Sequence, residues 1–415
     1  MSEASGGRSP ALIDTRSGRF ETGAALVAAV LVGVDVPLPY NTPLSIVVGL
    51  ALLPVVLNGG RRYRSFVALC ILVFSTVGTG LLIAEFSSAP SSTSLAIAQC
   101  MRVLSLAFAF AVLLWARGRA GTRRTILAFA IGMLVSVPIG GIHLLNPWKF
   151  DLGLPLTLIA LSLPFVYRRP IPQAVVGLLL IAVNAAFSSR SAAGFLLIAV
   201  AVSFTITPAA DAVRRGRAWV VFRYAQVIAV AAGAYFLLQA AILDGMLGDD
   251  LQERTQAQVA ASGSVLTGGR PEMGASVALI TSNPWGYGAG AIPTPTQILV
   301  AKSGMARLGY DPNNGYVERY MFGTSFEVHS TLGDLWITFG IVGAVLAIFC
   351  VIVLLRGTGH AMATGTLSTV AVYLVIRGVW DMAFSPVYTS VLLLPLALAV
   401  VAIPRRTLVD DVGVR

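Results

Sequence analysis

Apolar residues dominate long runs of this chain, and short polar stretches separate the runs. A run of about 20 apolar residues is long enough to cross a bilayer as a helix. Runs near that length occur at 22–37, 43–58, 65–85, 94–116, 125–142, 152–167, 172–187, 191–210, 218–242, 330–355, 362–380 and 386–403. The pattern predicts an all-α polytopic membrane protein with about twelve transmembrane helices. The first two runs are short, and Pro37-Leu38-Pro39 turns between them.

One stretch breaks the alternation. Residues 243–329 form a polar segment of about 85 residues with Gly, Pro and Asn punctuation and charges of both signs. Loops of that length are uncommon unless they carry a function. A small cap with two short amphipathic helices is expected there. The chain then divides into three parts. Residues 1–242 form an N-terminal bundle of about nine spans, 243–329 an extracytoplasmic loop between spans nine and ten, and 330–415 about three C-terminal spans with a cytoplasmic tail.

Composition narrows the class. Of the 415 residues, 56% are hydrophobic and 12% charged. Soluble domains carry about 25% charged residues, so an ordinary soluble enzyme is excluded, and disorder requires the opposite bias. The net charge of +10 would suit a nucleic-acid binder, but the bases are placed as topology signals. They cluster at Arg8, Arg16 and Arg19, at Arg61-Arg62-Tyr63-Arg64, at Arg117 to Arg124, at Arg168-Arg169, at Arg214 to Arg217, at Arg356 and at Arg405-Arg406. With twelve spans, every cluster falls on one side, as the excess of Lys and Arg in cytoplasmic loops requires. The expected setting is a bacterial cytoplasmic membrane, both ends inside, with the bilayer and not nucleic acid as partner. The N-terminal run lacks a convincing cleavage site and reads as an uncleaved anchor. Cys70, Cys100 and Cys350 all sit within apolar runs and offer neither a disulfide framework nor metal-ligand spacing.

Charge inside a membrane is costly and marks candidates. Arg102 lies within span four, and Arg377 and Asp381 lie near the outer end of span eleven. The latter two share a helix face at i, i+4. Either the pair locks the bundle, or Arg377 faces a polar cavity and binds an anion. The same two readings hold for Arg102. Arg190, in Ser188-Ser189-Arg190-Ser191-Ala192-Ala193-Gly194, is an isolated base on the side poor in bases, with small neighbours that allow close approach. It is either a ligand group or a snorkelling anchor.

Gly268-Gly269-Arg270-Pro271-Glu272-Met273 opens a predicted helix, with Pro271 at its first position. Met273, Val277 and Ile280 would form its apolar face. The free N–H groups and dipole at such a start favour an anion, and Arg270 adds a planar, permanently charged fork. Phosphate suits that combination, and a plain surface arginine is the alternative. Gly286, Gly288 and Gly290 form a tight turn whose backbone packs against ligand or bundle; Gly286 and Gly288 are candidates for the turn near substrate. His329 precedes span ten, where the helix dipole disfavours a cationic ring; it is either a neutral imidazole able to accept a proton or a satisfied interface histidine. His143 and His360 have no supporting constellation and read as structural. The histidines are too scattered for zinc.

Arg190, Arg270 and His329 would thus share the outer membrane face, with Arg377 and Arg102 as possible additions. Several arginines and one base suit a diphosphate leaving group and an acceptor hydroxyl. In order along the chain, Ser189-Arg190-Ser191-Ala192, Gly269-Arg270-Pro271-Glu272, Asn283-Pro284-Trp285-Gly286-Tyr287-Gly288 and His329-Ser330, leading to Phe339-Gly340-Ile341-Val342-Gly343, resemble the O-antigen ligase and Wzy-type O-antigen polymerase superfamily. The resemblance in motifs spans about 188–345, and elsewhere it is one of topology. The chain departs from the pattern at Met273-Gly274-Ala275, where the family often has Trp, and at Ser330, where Asn is common.

The resemblance implies transfer of a glycan from an undecaprenyl-diphosphate-linked oligosaccharide to a glycan or lipid acceptor, without metal, nucleotide or other cofactor, in surface or exopolysaccharide biosynthesis. It implies His329 as the base and Arg190 and Arg270 as diphosphate clamps; Arg377 is a further substrate-binding candidate from its intramembrane charge. The alternative is a transporter or flippase for an anionic lipid-linked glycan, which would show broken or charged helices in both halves.

Overall fold

The computed structural model describes residues 11–36, 38–87, 89–205, 216–244 and 270–405, with 252–253, 255–256 and 259–260. Arg8, Arg214, Gly268, Gly269 and Arg406 lie outside the described residues.

The described residues form helices and no strand, apart from two isolated bridges. The first ten helices are α1 (Ala11–Gly33), α2 (Leu44–Ala51), α3 (Leu53–Gly60), α4 (Phe66–Phe86), α5 (Thr93–Ala120), α6 (Thr122–Gly140), α7 (Gly153–Ser162), α8 (Pro170–Ala186), α9 (Arg190–Thr205) and α10 (Arg217–Leu243). After the partly described segment come α11 (Glu272–Ser282), α12 (Pro295–Ala306), α13 (Thr331–Ala363), α14 (Thr369–Phe384) and α15 (Val387–Val401). Four of them, α4, α5, α6 and α13, are long and apolar enough to cross a membrane. Shorter apolar helices lie at Pro170–Ala186, Arg190–Phe204, Ala218–Gly233 and Val387–Val401.

Helix α5 is the axis of the bundle. The Ser92 hydroxyl accepts from the Leu95 N–H at its start, and Gly121, at φ +82°, ends it. Ala109 to Ala116 are all buried, as expected of a helix surrounded by others. α1, α2, α3, α4 and α15 pack around it. By contrast, α4 turns Val67, Ile71, Phe74, Leu81 and Leu82 outward. Such an apolar outer face is stable when the surroundings are hydrocarbon. Apolar length and apolar exterior together mark an all-α membrane protein.

Proline divides two of the expected spans. Residues 43–58 form α2 and α3, because Pro54 lacks an N–H and its ring disfavours helix at the preceding residue. Each piece has 8 residues, about 12 Å at 1.5 Å per residue, well short of the roughly 30 Å hydrocarbon core. Within residues 152–167 only the 10-residue α7 forms, following a π turn at Trp148–Leu152; it ends at Ser162, with Leu163 extended at ψ 144° before Pro164.

Helix α13 is broken at Gly340, which has φ +71° and ψ −161°, a conformation open essentially to glycine alone. The break frees carbonyl groups that lipid could not satisfy. α4 supplies partners: the Thr79 hydroxyl donates to the Phe339 carbonyl at 3.2 Å and Thr76 to that of Val342 at 3.4 Å. The Tyr287 N–H takes the Ile337 carbonyl at 2.7 Å.

Residues 270–329 form a cap with its own core of Leu279, Met305, Val317, Met321, Phe322, Phe326 and Val328. Pro271 stands at the N-cap of α11, and Glu272 is the first helical residue. The apolar face expected on α11 is corrected. Met273 and Val277 are exposed, whereas Glu272, Ala275, Ser276 and Leu279 are buried. Small residues decide this, since α11 crosses α12 closely where Gly274 meets Gly304.

Candidate active site

His329 precedes α13 with φ +52°, a left-handed conformation uncommon for residues other than Gly, though His, Asn and Asp adopt it more often than most. Hydrogen bonds on both sides hold it there. Ser330 caps α13, accepting from the Gly333 N–H and donating to the Met382 carbonyl, each at 3.1 Å. The buried Asp334 carboxylate accepts from the Val328 N–H and, with its other oxygen, from the Val387 N–H, both at 2.8 Å. The His329 turn is thereby tied to the end of α14 and the start of α15. The imidazole stacks on Tyr316, centroids 6.1 Å apart, and its buried Nδ1 has no hydrogen-bond partner.

Tyr316 leads to α11. Its hydroxyl donates to Glu272 Oε1 at 2.8 Å. Burial and the adjacent Glu272 carboxylate push the phenol well above its ordinary pKa, so it stays a donor. The other Glu272 oxygen is buried without a partner. An open buried carboxylate oxygen costs free energy unless something else binds it.

Arg270 lies two residues earlier, over α14. Its guanidinium stands 5.6 Å from the Trp380 ring centre and 5.8 Å from that of Phe384. Nη1 reaches the Phe384 carbonyl at 3.5 Å. The aromatic faces hold the cation by their quadrupoles and leave most of its five donors unused. Its charge acts on both Tyr316 and Asp381.

Arg377 lies one turn deeper on α14. Its Nε is 3.6 Å from Asp381 Oδ2, an ion pair too long for a good hydrogen bond. That Nε is buried without a hydrogen-bond acceptor. Asp381 Oδ1 accepts from the Ser385 hydroxyl at 2.7 Å.

The sequence candidates divide accordingly. Arg270, at Phe384, and the His329 turn, tied through Ser330 to Met382, lie toward the Phe384 end of α14, and Arg377 sits nearer the middle of that helix, paired with Asp381. Arg190 opens α9 and is exposed, with no hydrogen bond or ion pair among the described residues. Phe195 of α9 packs edge-on against Trp380 at 5.4 Å, so Arg190, five residues earlier, lies about 7 Å further along the helix axis. It shares that end of the bundle without touching the cluster. Arg102 stands 5.7 Å over the Tyr388 ring, with Glu327, Asp35 and Asp334 as its nearest negative charges.

Gly286 and Gly288 pack on the bundle. A side-chain carbon at Gly286 would lie 2.8 Å from the Gly340 nitrogen, and one at Gly288 would lie 2.6 Å from Ala84. Their role is to let the strap at 283–292 enter the break in α13, where the Trp336 indole also holds the Pro284 carbonyl at 2.8 Å. His143 is paired with Asp151 at 2.7 Å.

The chain matches no family model, no curated protein and no solved structure.

The site therefore rests on its own geometry. Tyr316 and Trp380 were invisible as site residues in the sequence, since neither stands in a motif. Asp334 left one trace, an acid in the first turn of a helix opened by Ser330. Among the described residues, no three His, Cys, Asp or Glu side chains are grouped to hold a metal. The cluster offers two cations, an uncharged donor, an open ring nitrogen and an open carboxylate oxygen.

Proposed function

We propose that this chain is a membrane glycosyltransferase of the O-antigen ligase and polymerase type, moving a glycan from an undecaprenyl-diphosphate-linked donor to an acceptor hydroxyl. What supports the reading is that Arg270, the Arg377–Asp381 pair and the turn of His329, whose Nδ1 has no partner, all lie along the Phe384 half of α14. The cations take up the charge that develops on a departing diphosphate. His329 accepts the proton as the acceptor oxygen attacks the anomeric carbon. The bond from that carbon to the diphosphate oxygen breaks, and the lipid diphosphate leaves. The motif resemblance supports the same chemistry. In this reading the chain crosses the bacterial cytoplasmic membrane about twelve times, and the cap and His329 face outward.

One observation favours the alternative of a transporter for an anionic lipid-linked glycan. A discontinuous membrane helix, such as α13, is a common transporter device. There, however, the unwound backbone coordinates the cargo, whereas here Thr76, Thr79 and the 283–292 strap engage it. The protein's own contacts fill the break.

The test uses purified protein with lipid-diphosphate-linked oligosaccharide and acceptor, read by gel and mass spectrometry. A longer glycan on the carrier lipid identifies a polymerase, and a glycan on a new acceptor identifies a ligase. Arg270→Ala should abolish either product. Arg190→Ala tests whether Arg190 joins the cluster when donor is bound, and full activity would remove it from the site. Flux of donor across vesicles with no change in the glycan would support the transporter.

A further inference from the structure

At the other end of α14, far from His329, lies a cavity of about 380 Å³. The volume is in the range of small-ligand pockets. Among the described residues its charged lining consists of Arg117 and Arg168 with no carboxylate, and His360 adds an imidazole. Thr122, Thr364 and Ser368 add hydroxyl groups, and Leu367 and Val400 form part of an apolar wall. Arg168, His360 and Thr364 are exposed, so water and solutes reach the space. The positive charge of Arg64 acts on His360 as well.

The arginines are anchored yet uncompensated. Arg117 donates Nη1 to the Ala399 and Ala402 carbonyls at 2.5 and 2.8 Å, at the end of α15. Arg168 donates to the Gly365 carbonyl. These bonds fix each fork and use only part of its donors. Neither arginine has a carboxylate partner among the salt bridges of the described residues. Among the described residues, two anchored guanidinium groups stand beside an imidazole and hydroxyls with no carboxylate at the cavity, an arrangement suited to an anion. Planar forks of this kind match phosphate oxygens. The apolar wall suits the glycerol and first methylenes of a lipid, and basic pockets between membrane helices bind anionic headgroups.

We propose that this cavity binds a phosphate group, carried by an anionic phospholipid headgroup or by a soluble phosphate. The site is independent of the glycosyl-transfer reading.

The full chain in neutral detergent is titrated with short-chain phosphatidylglycerol and, separately, with inorganic phosphate, and binding is read by native mass spectrometry. Saturable binding of the lipid alone identifies a headgroup site, and binding of both shows that phosphate suffices. Thr122→Asp places a negative charge in the cavity at the first position of α6, where an acid favours the helix, so the fold is kept. It should weaken binding about tenfold, the equivalent of roughly 1.4 kcal/mol. Thr122→Asn should bind as wild type does. Arg168→Gln, which keeps the length and removes the charge, should also weaken binding. The proposal is overturned if neither probe saturates, or if Thr122→Asp and Arg168→Gln both bind as tightly as wild type.

Discussion

The two ends of α14 hold the same kind of residue in different company. At the Phe384 end, Arg270 rests on two aromatic faces, Arg377 is paired with Asp381, and His329 and Glu272 each keep a polar atom open. At the Thr369 end, Arg117 and Arg168 are bonded to main-chain carbonyls, and no carboxylate lines the cavity among the described residues. Arginine alone makes a place for an anion. Moving a proton as well needs a base held open and groups that orient it. On this comparison the first end carries the proposed transfer chemistry, while the second is proposed only to bind.

The sharpest way to break the comparison is to remove the base. His329→Ala should lower glycosyl transfer at least about 100-fold, the usual contribution of a positioned general base, with protein levels unchanged. A comparable loss is expected in Arg270→Ala. Arg270→Lys should not restore activity, because a point charge cannot reproduce the planar stack over Trp380 and Phe384. Restored turnover in the Lys variant would show that charge alone matters there, as at the other end of the helix.

A structural change follows in size. Gly340→Ala places a side chain 2.5 Å from the Trp285 carbonyl at φ +71°. It should cost about 2–3 kcal/mol, the scale of a strained backbone conformation. Thermal unfolding in detergent reads it, and an unchanged midpoint would mean that the break in α13 tolerates a side chain.

Glu272→Gln should keep the hydrogen bond from Tyr316 while removing the charge. If the open oxygen orients an acceptor hydroxyl, transfer should fall about tenfold, near the worth of one hydrogen bond to a charged group. Activity equal to wild type would confine Glu272 to holding Tyr316.

The smallest effect concerns the cap. Lys302 is ion-paired with Glu318 and holds the Glu318 carboxyl below its ordinary pKa. A depressed carboxylate contributes stability above its unfolded value, about 4.3, and loses it as pH falls through the folded value. Glu318 is half exposed, so Lys302→Ala should cost less than about 1 kcal/mol at pH 7. The difference from wild type should vanish in acid.

Much of the bundle was legible in the sequence because lipid-facing helices must be apolar along their length. The long segment before α13 was legible by its polarity. The division of 43–58 into α2 and α3 was written in Pro54, but a hydropathy run does not register one missing N–H. The break at Gly340 was harder, since glycine in a membrane helix usually serves close packing, and only the strap at 283–292 gives it another use. Arg270 and His329 could be singled out as chemistry-bearing residues. Their meeting with Tyr316 and Trp380 depends on how the cap folds over α14, a long-range contact that no local pattern encodes. Met273 and Val277 misled for a related reason: a small-residue crossing, and not apolarity, chose the buried face of α11.

The central claim is the proposal that His329, whose Nδ1 has no hydrogen-bond partner, acts as the base in glycosyl transfer. The most direct measurement follows consumption of a lipid-diphosphate-linked oligosaccharide by purified wild type and by His329→Ala, with acceptor present and folding checked by thermal unfolding. The account predicts a new glycosidic product and released lipid diphosphate from wild type only. An intact donor pool with folded wild type and a verified supply of donor and acceptor would contradict it, as would equal turnover by the two proteins.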